Sequence, residues 1–399
     1  MKDDSVIVVG AGTVGLVTAL GLARAGVPVR VLEAAPSIPD GARDMVYSWA
    51  VLDGLARLGL LPDAERRGLR VTAHSYRVRK TGETLRFDVS ALDGVVAHPF
   101  NLHVGQGEMT RILLEHLARC PAAAVEWGTN VMGVTQRPDG VTVVGEAGGG
   151  AATYSAGWVV GADGARSIVR RELGLGFAGM TWPDRFVAIN LRFDFEAMGF
   201  TPAAYQIDPV RGAVVAQVDK TGLWRYIYAE NRTLAEESIG ERVRQRLRAE
   251  LPDGADPGIE SFFPYRTHQR CADTYRVGRA LLVGDAAHLT NPVRALGMTS
   301  GLFDAFALTE ALSAVLVDGH DAEILDRYSL VRRRNFLDCT SPISAAAKEF
   351  VFPFHHASGQ EERLEQLRTM AADPAARRDY LLEDSRLGTP SLNTTAHSV

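Results

Sequence analysis

The opening residues of the chain follow a strand, turn, helix and strand pattern. Residues 6–9 are a short β-branched run without polar alternation, which is typical of a strand buried on both faces. A glycine-rich turn follows, and then apolar residues at helical spacing over 16–23, closed by Ala25-Gly26. A second apolar run over 27–33 ends in an acidic residue. The pattern predicts a β-α-β unit at the start of the chain.

Beyond this unit the spacing of apolar residues changes several times between the spacing typical of a helix and that typical of a strand. Helical spacing predicts helices over residues 45–60, 107–118, 234–251 and 298–317. Two-residue alternation predicts strands between 71 and 104, near 125–134, 141–144 and 158–160, and most densely between 185 and 230. The C-terminal region is expected to be helical to about residue 382 and then loose. Four arginines of the third helix are expected to be solvated: Arg242, Arg244, Arg246 and Arg248.

These changes of pattern divide the chain into an α/β nucleotide-binding domain and an inserted, mostly antiparallel sheet. Residues 1–72, 105–180 and 276–340 are assigned to the nucleotide-binding domain. Residues 73–104 and 181–275 are assigned to the inserted sheet, which we expect to bind the substrate. Residues 341–399 form C-terminal helices and a tail.

Composition narrows the class of protein. With 399 residues, 46% of them hydrophobic, the chain can bury a sizeable core in one large domain or two interleaved ones. A net charge of −5 argues against a nucleic-acid-binding surface, which needs clustered positive charge. The three cysteines have neither CxxC nor metal-like spacing and predict free thiols in a reducing compartment. No metal site is expected.

Residues 5–23 are apolar enough to resemble a membrane-spanning or secretory segment. Glycines at 10, 12, 15 and 21 interrupt the run, and it has neither a basic n-region nor a small-residue cleavage site. A transmembrane helix needs about 20 residues of continuous helix. We therefore expect no membrane span here and a cytoplasmic protein, either monomeric or homodimeric.

The turn between the first strand and helix reads Gly10-x-Gly12-x-x-Gly15, and Glu33 lies eighteen residues beyond it. Gly10 permits the tight turn, Gly12 lets a pyrophosphate approach the backbone, and Gly15 lets the helix pack on the strand. The helix N-terminus supplies unpaired N–H groups for phosphates. Glu33 is placed to accept hydrogen bonds from the ribose hydroxyls, which favours NAD or FAD over NADP.

Two further turns follow predicted strands. Asp163-Gly164 enters a helix, and on the residues alone it is a helix-capping turn. Gly284-Asp285 places an acid at the carboxyl end of an apolar strand, where open α/β sheets bind ligands. Asp285 is suited to hold sugar-alcohol hydroxyls, and the helix that follows directs its N-terminus over the same cleft.

The order and spacing of these three motifs resemble the flavoprotein monooxygenases of the para-hydroxybenzoate hydroxylase type, the single-component FAD-dependent aromatic hydroxylases. The resemblance implies a Rossmann-like FAD-binding domain of the GR2 type. In that family the glycine-rich turn binds the ADP half of FAD, Asp163 borders the pyrophosphate and is implicated in NAD(P)H use, and Asp285 holds the ribityl chain. The resemblance implies the following cofactor-binding residues: Gly10, Gly12, Val14, Gly15, Glu33, Arg43, Gln106, Val131, Asp163, Asp285, Pro292, Leu296, Gly297 and Met298.

The resemblance also implies a reaction. NADPH or NADH reduces FAD, O₂ adds to the flavin, and the resulting C4a-hydroperoxide hydroxylates an aromatic or heteroaromatic small molecule. No second GxGxxG is present, so we expect the reductant to bind transiently rather than in a domain of its own. Two alternatives remain open: a related flavoenzyme, such as a reductase or halogenase, and a non-catalytic flavin-fold protein that binds a small aromatic ligand.

The substrate pocket is predicted from the inserted sheet and the loop after Pro292. Candidate residues are Pro292, Arg294, Tyr226, Tyr205 and Gln217. Tyr226 shares a strand face with Trp224 and Tyr228, whereas Arg225 and Ile227 share the other face. Periodicity does not say which face lines the pocket. His98 and His103 are more readily structural than catalytic.

The loop after Pro292 departs from the family pattern. Where the family has two glycines and an asparagine, this chain has Arg294, Ala295 and Thr299. Glycines there tolerate positive φ and close approach of the flavin. Arg294 either contacts an anionic substrate or the flavin edge, or turns outward to solvent in a shifted loop.

Overall fold

The apolar runs of the sequence form strands and helices throughout the part of the chain that the computed structural model describes, residues 4–38, 45–353 and 359–393. The strands are β1 Val6–Val9, β2 Val29–Glu33, β3 Val46–Tyr47, β4 Leu69–Val71, β5 Ala73–Val78, β6 Glu83–Asp88, β7 Asn101–His103, β8 Ala123–Trp127, β9 Thr129–Arg137, β10 Gly140–Ala147, β11 Gly150–Ala156, β12 Trp158–Gly161, β13 Phe177–Arg192, β14 Ala203–Ile207, β15 Ala213–Gln217, β16 Leu223–Asn231, β17 Gly258–Ala272, β18 Arg276–Val277, β19 Ala280–Leu282 and β20 His288–Leu289. The helices are α1 Thr13–Arg24, α2 Trp49–Arg57, α3 Leu61–Arg67, α4 Gln106–Leu117, α5 Ile168–Glu172, α6 Ile239–Glu250, α7 Leu296–Leu316, α8 Glu323–Asn335, α9 Ser341–Val351, α10 Gln360–Ala372 and α11 Pro374–Leu382.

The predicted β-α-β unit forms the centre of a six-stranded sheet of order β18-β19-β12-β1-β2-β8. All neighbours are parallel except β18 and β19. Every residue of β1 is buried, as its unbroken β-branched run predicts. Helix α1 packs against α4 and α7. A Cβ at Gly21 would stand 2.6 Å from Thr309 Cγ2, so this glycine allows α1 and α7 to approach closely.

The inserted sheet has eight strands in the order β20-β17-β13-β16-β15-β14-β5-β6. It is antiparallel except for the parallel pair β14 and β5. One face packs Trp224, Tyr226 and Tyr228 of β16 into a core with Val243 of α6. The predicted architecture, an α/β domain with an inserted, mostly antiparallel sheet and C-terminal helices, is confirmed.

The strands predicted between 71 and 104 divide between two sheets. Strands β5 and β6 form one edge of the eight-stranded sheet, whereas β7 pairs with β3 and β4 in a small separate sheet. Strands β9 to β11 form a third antiparallel sheet, which turns at Gly148-Gly149.

Two predicted helices begin at other residues. The region 45–60 first forms β3, and α2 begins at Trp49 because the side chain of Ser48 caps it by accepting from the Ala50 N–H. The helix predicted from residue 234 begins as regular α-helix only at Ile239.

The expectation that all four arginines of α6 are solvated is wrong for two of them. Arg242 donates from Nε to Glu230 Oε2 at 2.8 Å, and Arg246 donates from Nε to Tyr226 Oη at 3.1 Å. The helix lies on the sheet, and polar atoms of the strands and loops beneath it provide these partners. Arg244 and Arg248 are exposed as predicted.

Among the described residues one helix, α7, is long and apolar enough to cross a membrane by length and composition alone. In this fold 61% of its apolar window is buried. The helix also carries Asp304, which is fully buried and ion-paired. Helix α7 is thus a core helix that supports the site described below.

Candidate active site

The glycine-rich turn between β1 and α1 shows why glycines stand at its positions. Gly10 has φ of +105°, and a Cβ there would lie 2.5 Å from the carbonyl oxygen of Ala162. A Cβ at Gly15 would collide with the carbonyl oxygen of Gly10. Gly12 differs, since no described protein atom lies within 4 Å of its Cβ position. Gly10 and Gly15 therefore shape the turn, and Gly12 leaves room for a ligand.

A cavity of about 920 Å³ extends from this turn to the inserted sheet. Gly12, Thr13 and Val14 line it at the turn, and Asp285 lines it as well. Thr13 Oγ1 is buried and has no hydrogen-bond partner among the described residues. A polar atom of this kind at a helix N-terminus fits an anionic ligand. The residues at this end of the cavity therefore fit the pyrophosphate of FAD.

Glu33 has a structural task in the same turn. Its carboxylate accepts hydrogen bonds from the Ala11 N–H at 2.7 Å and the Ala35 N–H at 2.9 Å. It thereby ties the end of β2 to the glycine-rich turn. Its contact with a ribose remains a prediction.

The Gly284-Asp285 loop rests on a buried charge network that the sequence analysis missed. Asp304 Oδ2 accepts from the Gly284 N–H at 3.1 Å and lies 2.6 Å from His288 Nε2. Its Oδ1 accepts from Arg332 Nε at 2.7 Å. Burial acts to raise the pKa of Asp304, but His288 and Arg332 outweigh it and hold this pKa below its ordinary value. The only sequence signal is that Asp304 is one of two acids in an otherwise apolar helix, the other being Glu310.

Asp163 caps helix α5. Its carboxylate accepts from Ser167 Oγ at 2.5 Å and from the backbone N–H groups of Ile168 and Val169 at 2.6 and 3.2 Å. This is the capping turn that the residues alone predict. Arg170 extends from the same helix to the Ala286 carbonyl at 2.8 Å, which joins this turn to the Gly284-Asp285 loop.

The remaining cofactor candidates fall in different places. Gln106 lines the cavity at the start of α4. Val131 is buried in β9 and Leu296 is buried at the start of α7, and neither lines the cavity. Arg43 lies outside the described residues.

The loop that carries Pro292 forms part of the cavity wall. Pro292, Arg294, Gly297 and Met298 all line the cavity. Ala295 has φ of +56° and is the only non-glycine in the described ranges with positive φ. An L-residue in this conformation costs about 1 kcal/mol relative to glycine. The loop thus keeps a backbone shape that suits glycine although its residue is alanine.

Arg294 does not turn outward to solvent. Only 13% of its side chain is exposed, and its Nη2 donates to Asp384 Oδ1 at 2.8 Å. Tyr380, whose ring lies 5.5 Å from the guanidinium carbon, and Asp384 also line the cavity. The C-terminal segment therefore forms part of the pocket wall, which no local sequence pattern indicated.

The substrate face of the inserted sheet is the face opposite to the one with Tyr226. Arg225 and Ile227 line the cavity with Tyr205. Tyr226 is buried against α6, so the expectation that it lines the pocket is wrong. Alternation along β16 left two choices, and the packing of α6 decides between them. Gln217 also lies outside the cavity lining, although its carbonyl accepts a hydrogen bond from His103.

Three histidines line the cavity, namely His74, His103 and His268, and of these the sequence pointed only to His103. His103 donates from Nδ1 to the Gln217 carbonyl at 2.6 Å, and burial lowers its pKa to about 4. His74 stacks on Phe87 with ring centroids 5.3 Å apart. Burial, together with the charge of Arg294, lowers the pKa of His74 to about 3. Both rings are therefore neutral at physiological pH. His98 is not part of the cavity lining.

A nucleotide-binding cleft that opens onto an aromatic-lined pocket is the arrangement of a flavin-dependent enzyme for aromatic compounds. The sequence profile of the family described as FAD binding domain matches residues 3–338. The chain is 42% identical over 379 residues to the 6-hydroxy-3-succinoylpyridine 3-monooxygenase of Pseudomonas putida, with 94% of this chain and 96% of that protein covered. It is 38% identical over 391 residues to a para-nitrophenol 4-monooxygenase of a Pseudomonas species, with 96% of each covered.

A solved structure leads to the same class. The crystal structure of p-nitrophenol 4-monooxygenase from Pseudomonas putida superposes with a TM-score of 0.93 at 37% identity, covering 98% of this chain and all of that one. The chain therefore belongs to the FAD binding domain family and is an FAD-dependent aromatic monooxygenase. Its cofactor is FAD and its reductant is NAD(P)H. The predicted class of enzyme is confirmed.

Proposed function

We propose that this enzyme oxygenates a hydroxylated aromatic or N-heteroaromatic ring at the carbon para to the hydroxyl group. The observation that carries the proposal is one continuous cavity that joins the glycine-rich turn to a pocket lined by aromatic side chains. FAD bound at the turn supplies the redox and oxygen-transfer chemistry. The protein supplies placement, exclusion of water and the electrostatic field.

The names of the two relatives support the para position. In para-nitrophenol 4-monooxygenase the oxygenated carbon, number 4, lies opposite the ring hydroxyl. In 6-hydroxy-3-succinoylpyridine 3-monooxygenase, carbon 3 lies opposite the hydroxyl at carbon 6. In both names the oxygenated carbon also carries an electron-withdrawing substituent. Similarity over nearly the full length of both relatives supports the same regiochemistry here.

The pocket residues provide the roles that such a reaction needs. We assign Gly12, Thr13 and Asp285 to FAD, and Pro292 to the loop that faces the reacting ring. Tyr205 contributes an aromatic wall and stacks on Tyr76, with ring centroids 5.0 Å apart. The helix N-terminus at Gly297 and Met298, which line the cavity, is placed to stabilise negative charge on the reduced cofactor.

The test measures where oxygen enters the ring. Purified, FAD-loaded enzyme is supplied with NADH or NADPH and with 4-nitrophenol or 3-nitrophenol under ¹⁸O₂. Carbon 4 of 4-nitrophenol carries no hydrogen, so oxygenation there releases nitrite and yields a labelled quinone and water. We expect nitrite and ¹⁸O-labelled quinone from 4-nitrophenol and no nitrite from 3-nitrophenol.

Oxygenation at a carbon other than the one para to the hydroxyl group would contradict the proposal. Label entering beside the hydroxyl with the nitro group retained would show an ortho hydroxylase. A panel of hydroxypyridines with a para acyl group extends the test to heteroaromatic rings. The cytoplasm is the proposed location, since the three cysteines are free thiols and reduced nicotinamide is supplied there.

A further inference from the structure

We propose that Arg294, held in place by Asp384, is a specificity-determining residue that binds an oxyanion carried by the aromatic substrate. The inference rests on the proposed function and adds the group that the pocket recognises, a phenolate or carboxylate oxygen. It starts from a charged side chain in the cavity wall, at a position where the resembling family has a glycine.

Arg294 has hydrogen-bonding capacity left for a ligand. A guanidinium group has five N–H donors. In the described residues Arg294 forms one side-chain hydrogen bond, from Nη2 to Asp384 Oδ1 at 2.8 Å. Its Nη1 lies 3.7 Å from Glu383 Oε2, which is too long for a hydrogen bond. Four of the five donors therefore form no hydrogen bond within the described residues, and the side chain lines the cavity.

The groups beside Arg294 add donors without adding charge. His74 and Tyr205 line the same part of the cavity, with ring centroids 6.2 Å apart. Neither side chain forms a hydrogen bond among the described residues. Because burial raises the pKa of Tyr205 and lowers that of His74, both stay neutral and each offers one donor. One cation with two neutral donors suits an anionic oxygen.

Asp384 acts as a positioning residue. Its Oδ2 accepts from Ser48 Oγ at 2.9 Å while its Oδ1 accepts from Arg294, so the carboxylate is fixed from two sides. Burial lowers the pKa of Arg294, but Tyr380 and Asp384 act more strongly and keep it above its ordinary value. Asp384 offsets part of the positive charge. The site therefore selects an oxyanion by directed hydrogen bonds rather than by excess charge.

The experiment compares three ligands that differ at one substituent. FAD-loaded wild type, Arg294→Met, Arg294→Lys and Asp384→Asn are titrated with 4-nitrophenol, 4-nitrobenzoate and 4-nitroanisole, and Kd is read from the flavin absorbance. The oxyanion ligand is whichever of 4-nitrophenol and 4-nitrobenzoate the wild type binds through Arg294. Because Arg294→Met loses a charged hydrogen bond, it should bind this ligand more weakly than wild type, by roughly tenfold or more. The anisole, which has no ionisable oxygen, should bind both proteins equally. Arg294→Lys should bind the oxyanion ligand with intermediate affinity, because it keeps the charge but not the planar donor set.

A spectroscopic signal separates binding from packing. Below the solution pKa of 4-nitrophenol, wild type should convert the bound ligand to its visible phenolate form, and Arg294→Met should not. Asp384→Asn should reduce both the phenolate signal and the preference for 4-nitrophenol over 4-nitroanisole, by smaller factors. A response of 4-nitrobenzoate in place of 4-nitrophenol would identify the oxyanion as a carboxylate.

A matched control comes from Arg368. It also ties the C-terminal helices to the inserted sheet, through Glu83 Oε1 at 2.8 Å, but it lies outside the cavity lining. Arg368→Met should leave all three Kd values unchanged. Equal weakening of all three ligands by Arg294→Met, or no weakening of any, would overturn the proposal. Either result leaves wild-type turnover intact, whereas failure of the proposed function appears as absent para product from wild type.

Discussion

The cofactor half and the substrate half of the cavity differ in how their walls are built. At the glycine-rich turn the backbone itself shapes the wall, and Gly10, Gly12 and Gly15 fall within six consecutive residues. In the substrate half, side chains far apart in the chain meet. Trp49 Nε1 donates to the Leu381 carbonyl across 332 positions, and Ser48 meets Asp384 across 336.

This difference shows which part of a site a sequence can reveal. A turn that requires positive φ or close backbone approach restricts its residues to glycine, so it can be recognised from the spacing of glycines in the sequence. A cavity wall made of side chains from distant elements produces no such spacing pattern in the sequence. Variants that act on one half and spare the other test this contrast.

The largest effect is expected from the charge network under the Gly284-Asp285 loop. Asp304→Ala leaves Arg332, which is fully buried, without its ion partner. Removal of one partner of a buried pair costs about 3–5 kcal/mol. We expect a fall of that size in the free energy of unfolding, measured by denaturant titration, together with loss of FAD.

The double variant Asp304→Leu/Arg332→Met is the matched control. Replacing a buried ion pair with apolar side chains is often close to neutral, so the double variant should recover much of the lost stability. If the double variant is as unstable as Asp304→Ala, the network does not act through an unpaired charge.

The glycine-rich turn permits a sharper separation within the cofactor half. Gly15→Ala adds a Cβ that collides with the Gly10 carbonyl, and overpacking of this kind costs about 1–3 kcal/mol. Gly12→Ala adds a Cβ that meets no described protein atom within 4 Å. We expect Gly15→Ala to lower the Tm of the FAD-free protein, and Gly12→Ala to keep that Tm while weakening FAD binding by tenfold or more. Equal Tm losses in the two variants would show that Gly12 has a structural role as well.

The backbone or a strand end limits which side chains are possible at the turn glycines, at the Asp163 capping turn and at Asp285. The sequence predicts these local features for that reason, and the contacts of these residues with FAD stay predictions. The sequence does not show which face of β16 lines the cavity, because α6 decides this by covering Tyr226 and leaving Arg225 on the cavity side. No local pattern around residue 384 indicates that Asp384 contacts Arg294, because the two residues are 90 positions apart in the chain.

Two of the three cavity histidines, His74 and His103, make the stability of the protein depend on pH. His74 and His103 have folded-state pKa values of about 3 and about 4, below the ordinary 6.5. As pH falls below 6.5, the unfolded chain gains protons that the folded chain does not, so stability is lost. The loss for His103 is complete near pH 4. Each histidine contributes about 1.4 kcal/mol per pH unit within its window.

Single variants isolate this contribution from that of the acidic groups. His103→Gln keeps a donor for the Gln217 carbonyl but does not titrate. We compare the slope of the unfolding free energy against pH between pH 6 and 5 with that of wild type. It should fall by about 1.4 kcal/mol per pH unit, which corresponds to one proton, in His103→Gln and in His74→Phe. In the double variant it should fall by about twice as much. An unchanged slope in the double variant would mean that both rings are protonated in the folded enzyme.

The smallest effect separates the two faces of the inserted sheet. Tyr226→Phe removes the hydrogen bond from Arg246 and should lower the free energy of unfolding by about 1 kcal/mol, with kcat/KM unchanged. Tyr205→Phe removes a hydroxyl from the cavity wall, and its main effect should fall on kcat/KM rather than on stability. Steady-state kinetics and denaturant titration of both variants check the pair. If Tyr226→Phe lowers kcat/KM as much as Tyr205→Phe does, Tyr226 contacts the substrate. The face of β16 that carries Tyr226 would then line the substrate pocket instead of packing in the core.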